Sequence, residues 1–305
     1  MTNKYRFLSV LEILIKYSDE NHYLSTNQII EYLKSDYGFE EVNRKTIYND
    51  IANLIDIGYD IDTNNGYCLA SHDLSLSEIK IIEDTLMSNK SLDDENTNKI
   101  IQKIHDKTSI YNQKLLSDLS LKKHKKPSKT YFFIGLLLET IAKEEILIIK
   151  TKNTESEIIP YLLYLSNGYY YLYYAYLNKD KIYHIRLDHI ENIKITNRKH
   201  HLLMRFDECQ KIIQESVNSY SGSEVEEIKL EVIDNHEFVI NHILDNFDNA
   251  IINQNKNQTI INIKISISPV LFSKLTLYQN KIKILSPNNV IMSYKKFIND
   301  ILNNY

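Results

Sequence analysis

Residues 158–190 read IIPYLLYLSNGYYYLYYAYLNKDKIYHIRLDHI. They carry nine of the chain's 23 tyrosines and one of its five arginines, Arg186. Apolar and aromatic residues run through the stretch, broken at Ser166-Asn167 and at residues 178–180, so it reads as three strands and two turns. A strand sends successive side chains to opposite faces. Over residues 169–174 one face is Tyr170, Leu172 and Tyr174, and the other is Tyr169, Tyr171 and Tyr173. Leu172 marks the core side, which leaves three phenol rings in a row on the other. In the third strand His184 and Arg186 share a face with Ile182 and Asp188, opposite Tyr183, Ile185 and Leu187. Rings beside a guanidinium suit a flat anionic ligand such as a nucleotide or single-stranded nucleic acid. The competing reading is a plain tyrosine-rich wall, because aromatics favour strands in any case.

Gly168-x-Tyr170-Tyr171-Leu172 is preceded by Pro160 and followed by Ile185-Arg186-Leu187-Asp188-His189-Ile190. This resembles the WYL domain of bacterial transcriptional regulators, whose pattern runs P…G-x-W-Y-L…F-R-L-D-R-I. Tyr170 stands for the Trp, Ile185 for the Phe and His189 for the second Arg. The last exchange replaces a permanent cation by a group that titrates near about pH 6.5. The resemblance covers nearly the whole chain and implies an SH3/Sm-like β-barrel that senses a nucleic-acid-related ligand. The ligand-binding candidates are Tyr169, Tyr171, Tyr173, His184, Arg186 and His189.

Around this stretch the pattern predicts a helix over 129–143, capped by Ser128, and strands over 145–150, 157–165, 168–177, 181–188 and about 190–197. Five short antiparallel strands behind a helix are consistent with the same small barrel. Arg198, His200, His201 and Arg205 form a second basic cluster. His184, His189, His200 and His201 raise a metal site, but no carboxylate or Cys stands at ligand spacing beside them, so neither metal nor cofactor is expected. There is no G-x-S-x-G, no Cys/His signature and no glycine-rich phosphate loop, so an enzyme is not expected.

Towards the N-terminus, helical spacing of Phe7, Leu8, Leu11, Leu14 and Ile15 predicts a helix over 3–17. Ser25 and Gln28 form a capping box, with Leu24 and Ile29 as its staple, and open a second helix over 26–35. Asn43 caps a third over 44–57. Its inward set is Ile47, Ile51, Leu54 and Ile55; its outward set is Arg44, Lys45, Tyr48, Asn49 and Asn53. Residues 59–61 and 67–69 flank Asn64-Asn65-Gly66, a hairpin signal. Three helices and a hairpin are the plan of a winged helix-turn-helix, and RKTIYNDIANLIDIGYDI resembles the recognition helix of the DeoR-like winged domains that precede WYL domains. The DNA-binding candidates are Arg44, Lys45, Tyr48 and Asn49 toward the bases, Thr46 toward a phosphate, and Asn64 and Asn65 on the wing. Residues 1–71 nevertheless hold six Lys and Arg against eleven Asp and Glu. That balance calls for two copies on one DNA, since electrostatics dominates DNA affinity.

Between the winged segment and the barrel, Ser75 and Glu78 repeat the capping box and open a helix to about residue 89. A second helix is expected over 94–119, with Ile100, Ile101, Ile104, Tyr111 and Leu115 as its apolar stripe. The basic run over 122–127 reads as a solvated linker. Beyond a boundary near 220–223, strands and helices are expected in βαββαβα order, an α/β plait. This resembles the extension that often follows WYL domains, including its Ser286-Pro287 step.

At 305 residues, 43% hydrophobic and 25% charged, the chain is ordinary globular material with no membrane span or signal peptide. Its two cysteines, Cys68 and Cys209, fit a reducing cytoplasm. The whole is read as an α+β multidomain protein: winged helix-turn-helix over 1–71, helical connector over 72–128, WYL barrel over 129–218 and α/β plait over 219–305. The expected function is a ligand-responsive transcriptional regulator, a homodimer on operator DNA. The alternative is an Sm-like RNA- or single-strand-binding protein whose winged domain makes protein contacts.

Overall fold

In a computed structural model that describes residues 3–119, 128–179, 181–200, 206–216, 224–247, 249–255 and 258–305, the chain is mixed α+β. It divides into two units, Met1–Ser128 and Lys129–Tyr305. The first opens with α1 (Asn3–Tyr17), α2 (Thr26–Tyr37), α3 (Arg44–Asp56) and the hairpin strands β1 (Ile61–Asp62) and β2 (Cys68–Leu69). The Ser25 hydroxyl accepts the Gln28 N–H at 3.3 Å while the Gln28 side chain accepts the Ser25 N–H at 2.8 Å, so the capping box forms. Val10, Ile13 and Leu14 of α1 pack with Ile29 and Leu33 of α2, Ile47, Ile51 and Leu54 of α3, and Ile61 and Leu69 of the hairpin.

Ile55, expected inward, is exposed. It sits one residue, about 100° of helix, past the buried Leu54. Asp50 is buried instead, held by Arg6 of α1 through Nε at 2.8 Å and Nη2 at 3.3 Å. The expected wing strands shorten to two residues each, but Leu24 adds a bridge to Tyr67, with N–H···O bonds of 2.8 Å both ways. At Gly66, with φ of 120°, a Cβ would lie 2.8 Å from the Leu24 carbonyl oxygen, so this approach requires glycine.

The connector begins with α4 (Leu76–Ser88), again with its capping box. The single helix expected over 94–119 is two, α5 (Asp94–His105) and α6 (Ile110–Leu119). Ser109 makes the break. It is fully buried, its hydroxyl donates to the Asp19 carboxylate at 2.5 Å, and the same oxygen accepts the Asn112 N–H at 3.2 Å to restart the helix. The break rotates the stripe, so Leu116 is buried and Leu115 exposed, and Tyr111 stacks on His22 with ring centres 3.5 Å apart. The basic run over 122–127 and the boundary at 220–223 lie outside the described residues.

The second unit starts with α7 (Thr130–Ala142), whose N-cap is Lys129 and not Ser128. Strands β3 (Glu145–Lys150), β4 (Glu155–Ser166), β5 (Tyr169–Tyr176), β6 (Ile182–Arg186) and β7 (Asn192–Lys199) form one antiparallel sheet in the order β6-β5-β4-β3-β7. Asn167 and Gly168, with φ of 51° and 81°, are the two-residue turn that closes Ser166 against Tyr169. A bulge at Tyr161 shifts the register of β4 on β5, so Ile159 and Tyr161 face one side and Leu163 the other.

The expected closed barrel is not formed among the described residues: no ladder joins β6 to β7. Ile185 and Ile193, from the two edge strands, enter one core with Phe133 and Leu137 of α7, so the sheet curls. The expected strand over 181–188 stops at Arg186, and a 3-10 turn, Leu187–His189, leads towards β7 in place of further ladder bonds. Opposite that core lies α8 (Phe206–Gln214), which the sequence reading omitted; its Cys209 packs on Ile146, Ile159, Tyr161 and Tyr173.

The expected βαββαβα order follows: β8 (Val225–Val232), α9 (Glu237–Asn246), β9 (Ile251–Gln254), β10 (Thr259–Ser266), α10 (Pro269–Thr276), β11 (Ile282–Ser286) and α11 (Asn288–Leu302). The sheet is antiparallel in the order β11-β8-β10-β9. Ile228, Leu230, Ile261 and Ile263 of its core face pack on Ile240, Ile243, Leu271 and Leu275 of α9 and α10. Among the described residues no helix is long and apolar enough to cross a membrane.

Candidate functional site

The solvent face of α3 is set by its buried face. With Ile47, Asp50, Ile51 and Leu54 turned inward, Arg44, Lys45, Tyr48, Asn49 and Asn53 are exposed on one helix. Asn43 caps it by accepting the Lys45 N–H at 2.9 Å, and Asn27 of α2 accepts from Arg44 Nη2 at 2.8 Å, which orients the guanidinium. Thr46 is half-buried. Its N–H is bonded to the Asn43 carbonyl at 3.0 Å, and the residue lines an open groove of about 660 Å³ with Arg6, Phe7 and Leu8 of α1 and Asn49 and Asn53 of α3. Its amide is therefore engaged inside the helix, which leaves its hydroxyl as the group that would reach a phosphate.

On the wing, Asn64 and Asn65 are exposed. Asp62 at the wing's base accepts the Asn64 N–H at 2.8 Å and the Tyr23 hydroxyl at 2.7 Å, which holds its carboxyl below the usual range. Arg6, Lys16 and Arg44 all have partners close by: Asp50, Asp36 and Asn27. The arrangement presents a short polar row with two adjacent cations at the start of α3, of the width a major groove admits.

In the second unit, the register sets Tyr171 opposite Arg186 and Tyr173 opposite His184, so these four share a face as expected from the alternation. The face is not three open rings, however. Tyr173 has 0% exposure, under Cys209 of α8, and His184 stacks on it with ring centres 5.3 Å apart. Tyr169 and Tyr171 remain half-buried at the open end. Burial raises the Tyr171 phenol, with the nearby Arg186 charge opposing.

The Arg186 guanidinium lies 3.6 Å from the centre of the Tyr169 ring. Its fork is also engaged: Nε donates to Asp188 Oδ1 at 3.0 Å and Nη2 to Oδ2 at 2.5 Å, a hydrogen-bonded pairing that raises the guanidinium pKa further. Asp188 is thus a site residue that the sequence reading left out of its ligand set; the Arg-x-Asp spacing was the available signal. His189 is exposed at the end of the 3-10 turn, off the strand. In the second basic cluster Arg198 is paired with Glu157 and His200 is buried, while His201 and Arg205 lie outside the described residues. The open end therefore offers two rings and a planar cation already neutralised by a carboxylate.

This chain matches no family model and no curated protein. Among solved structures, one similar chain is the proteasome accessory factor B/C (PafBC) of Arthrobacter aurescens, 13% identical, with 100% of this chain and 49% of that one covered at a TM-score of 0.29. The chain thus spans about half the length of that protein. Another is a CRISPR Cas-related protein, 13% identical, with 99% of this chain and 84% of that one covered at a TM-score of 0.40.

Proposed function

We propose that this chain is a ligand-responsive, DNA-binding transcriptional regulator of the WYL type. In this reading residues 1–71 are a winged helix-turn-helix, 72–128 a connector, 129–218 a WYL domain of SH3/Sm-like strand order and 219–305 an α/β plait. The carrying observation is the exposed row Arg44, Lys45, Tyr48 and Asn49 on a helix whose opposite face is locked into the core by Ile47, Ile51 and Leu54. A helix presented this way enters a major groove with its leading residues toward base edges. The motif from Gly168 to Ile190 supplies the second half of the reading, a sheet end where Tyr169, Tyr171 and Arg186 would meet an anionic nucleotide or single-stranded ligand.

The full chain, used to select fragments from a random duplex library, is expected to enrich one sequence. Arg44→Ala and Asn49→Ala should each weaken that complex by about 1–3 kcal/mol, the worth of a base-edge contact. Their melting temperatures should stay at the wild-type value, because neither side chain is in the core. Recovery of single-stranded RNA in preference to every duplex would favour the Sm-like alternative.

A further inference from the structure

Helix α7, with the sequence TYFFIGLLLETIA, is apolar on every side, and Glu139 is its one charged residue. A helix of that composition is normally buried all round. Here only Thr130, Phe133, Leu137 and Thr140 are buried, on the side that carries Phe133 and Leu137 into the sheet core. At about 100° per residue, the middle of the opposite side falls on Gly135. Around it Phe132 is 69% exposed, Leu138 54% and Tyr131 39%. The Tyr131 ring stands edge-on to Phe132, with centres 5.8 Å apart. Glu139, in a salt bridge to Lys143 at 3.4 Å, bounds the face at one end. Lys129, which donates to the Glu191 carbonyl at 3.1 Å, bounds it at the other.

This outer face is symmetric about Gly135. Phe132 and Leu138 lie three residues either side of it, and Tyr131 and Glu139 four. Two copies of α7 crossing antiparallel at Gly135 would set each Phe132 on Leu138 of the other copy. Each Tyr131 hydroxyl would then meet the Glu139 carboxylate of the other copy, a donor against an acceptor. Self-pairing of this kind is what a two-fold interface requires. Glycine is a poor helix former, yet a Cβ at Gly135 would have nothing within 4 Å. The chain's own packing therefore does not call for a glycine there, whereas a second helix crossing at about 8 Å would. Tyr131, Phe132 and Leu138 leave roughly 350 Å² exposed per copy, taking about 150–250 Å² for a whole aromatic side chain. A stable interface needs about 800 Å² per copy, so the face supplies its apolar centre and the charged ends its rim.

We propose that the outer face of α7 pairs two copies of this chain, crossing antiparallel at Gly135. The choice of a second copy as occupant rests on the DNA-binding reading, in which the acidic segment 1–71 calls for two chains. Sedimentation of the full chain without DNA tests the pairing separately from that reading. Phe132→Glu and Leu138→Lys put charges that suit their ends of the helix into the centre of the face. Each alone should raise the dimer dissociation constant about tenfold or more, the effect of losing a central interface residue. Both should keep the wild-type melting temperature, because both positions are exposed in the single chain. Mixing the two variants should restore the dimer, since the antiparallel crossing brings the new Glu against the new Lys. Gly135→Cys should give a disulfide-linked dimer on mild oxidation, with Cys68 and Cys209 buried and silent. The proposal is overturned if the wild-type chain is a monomer, or if both variants dimerise as wild type does through another face. It is equally overturned if mixing restores nothing, or if the variants lose melting temperature as monomers, which would mean that the chain covers this face itself.

Discussion

Arg186 shows how period can place a side chain without revealing the partner it already holds. The alternation put it beside Tyr171 and His184, and the register agrees. What the alternation did not reveal is that Asp188, two residues on, takes both arms of its fork. An anion arriving at Tyr169 therefore competes with a carboxylate already in place, and charge-assisted bidentate pairs are among the stronger hydrogen-bonded contacts. The two partners should then act in opposite directions. Arg186→Ala should abolish binding of an oligonucleotide or cyclic dinucleotide ligand while ligand-free DNA binding persists. Asp188→Ala should strengthen it, and fluorescence anisotropy with labelled ligands reads both. If Asp188→Ala weakens ligand as much as Arg186→Ala does, the carboxylate serves to hold the guanidinium in position and is not a competitor. For Tyr171, Ala should cost about 1–3 kcal/mol if a base stacks there, and Phe little. Tyr173 belongs to a different class: fully buried under α8, its truncation should cost about 3–5 kcal/mol of stability, as for other large core side chains.

Helices and turns were legible where the signal was local. The Ser25/Gln28 and Ser75/Glu78 boxes, the turn expected at Ser166-Asn167 and formed one residue later at Asn167-Gly168, and the order of elements after residue 224 depend on residues a few places apart. Features set by distant partners were not legible. The kink between α5 and α6 exists because Ser109 bonds Asp19, ninety residues away. Asp50 points inward because Arg6 waits on α1, and α8 hides Tyr173 from across the sheet.

Those joints are also where elements should come apart. Arg6→Ala leaves Asp50 buried without its cation, and removing one partner of such a pair costs about 3–5 kcal/mol. Urea unfolding should show that loss, whereas Arg6→Ala with Asp50→Ala together should recover part of it. Asp19 joins the end of α1 to the start of α6. Burial pushes its carboxyl up, but bonds from Ser109 (2.5 Å), His22 (2.7 Å) and the Asn21 N–H (3.0 Å) prevail and hold its pKa below the usual range. A lowered native pKa stabilises the fold above the unfolded value of about 3.9 and loses that contribution as pH falls through the native value. Asp19→Asn should therefore lower the melting temperature at neutral pH and narrow its gap to wild type below about pH 4. A gap of constant size from neutral pH to pH 3 would mean that the charge on Asp19 contributes nothing.

At the scale of the whole molecule the difficulty is electrostatic. The segment that carries the α3 row has eleven acids against six cations, and Glu40 and Glu41 stand exposed just before Arg44. Each phosphate neutralised by Lys or Arg contributes by releasing counterions, and one copy has few cations to spend on this. Arg6 and Lys16 are already paired with Asp50 and Asp36. Arg44 and Lys45 are the two cations at the start of α3, and a cation seated in the groove displaces counterions whether its tip meets a base edge or a phosphate, so one copy should make about two such neutralising contacts there. At roughly −0.9 per phosphate, the slope of log affinity against log salt would be only about −2 for one copy and about −4 for two. On the proposed reading, useful binding calls for a pair of chains on one DNA. Sedimentation of the full chain at micromolar concentration should give a dimer, and nuclease protection should cover two half-sites one helical turn, or a multiple of it, apart. A salt titration should return the steeper slope, and Lys45→Ala should reduce it by about two, one contact in each copy. A monomer that protects a single half-site with a slope near −2 would place the missing affinity in neutral contacts from Tyr48, Asn49 and the wing, and would remove the need for a second chain.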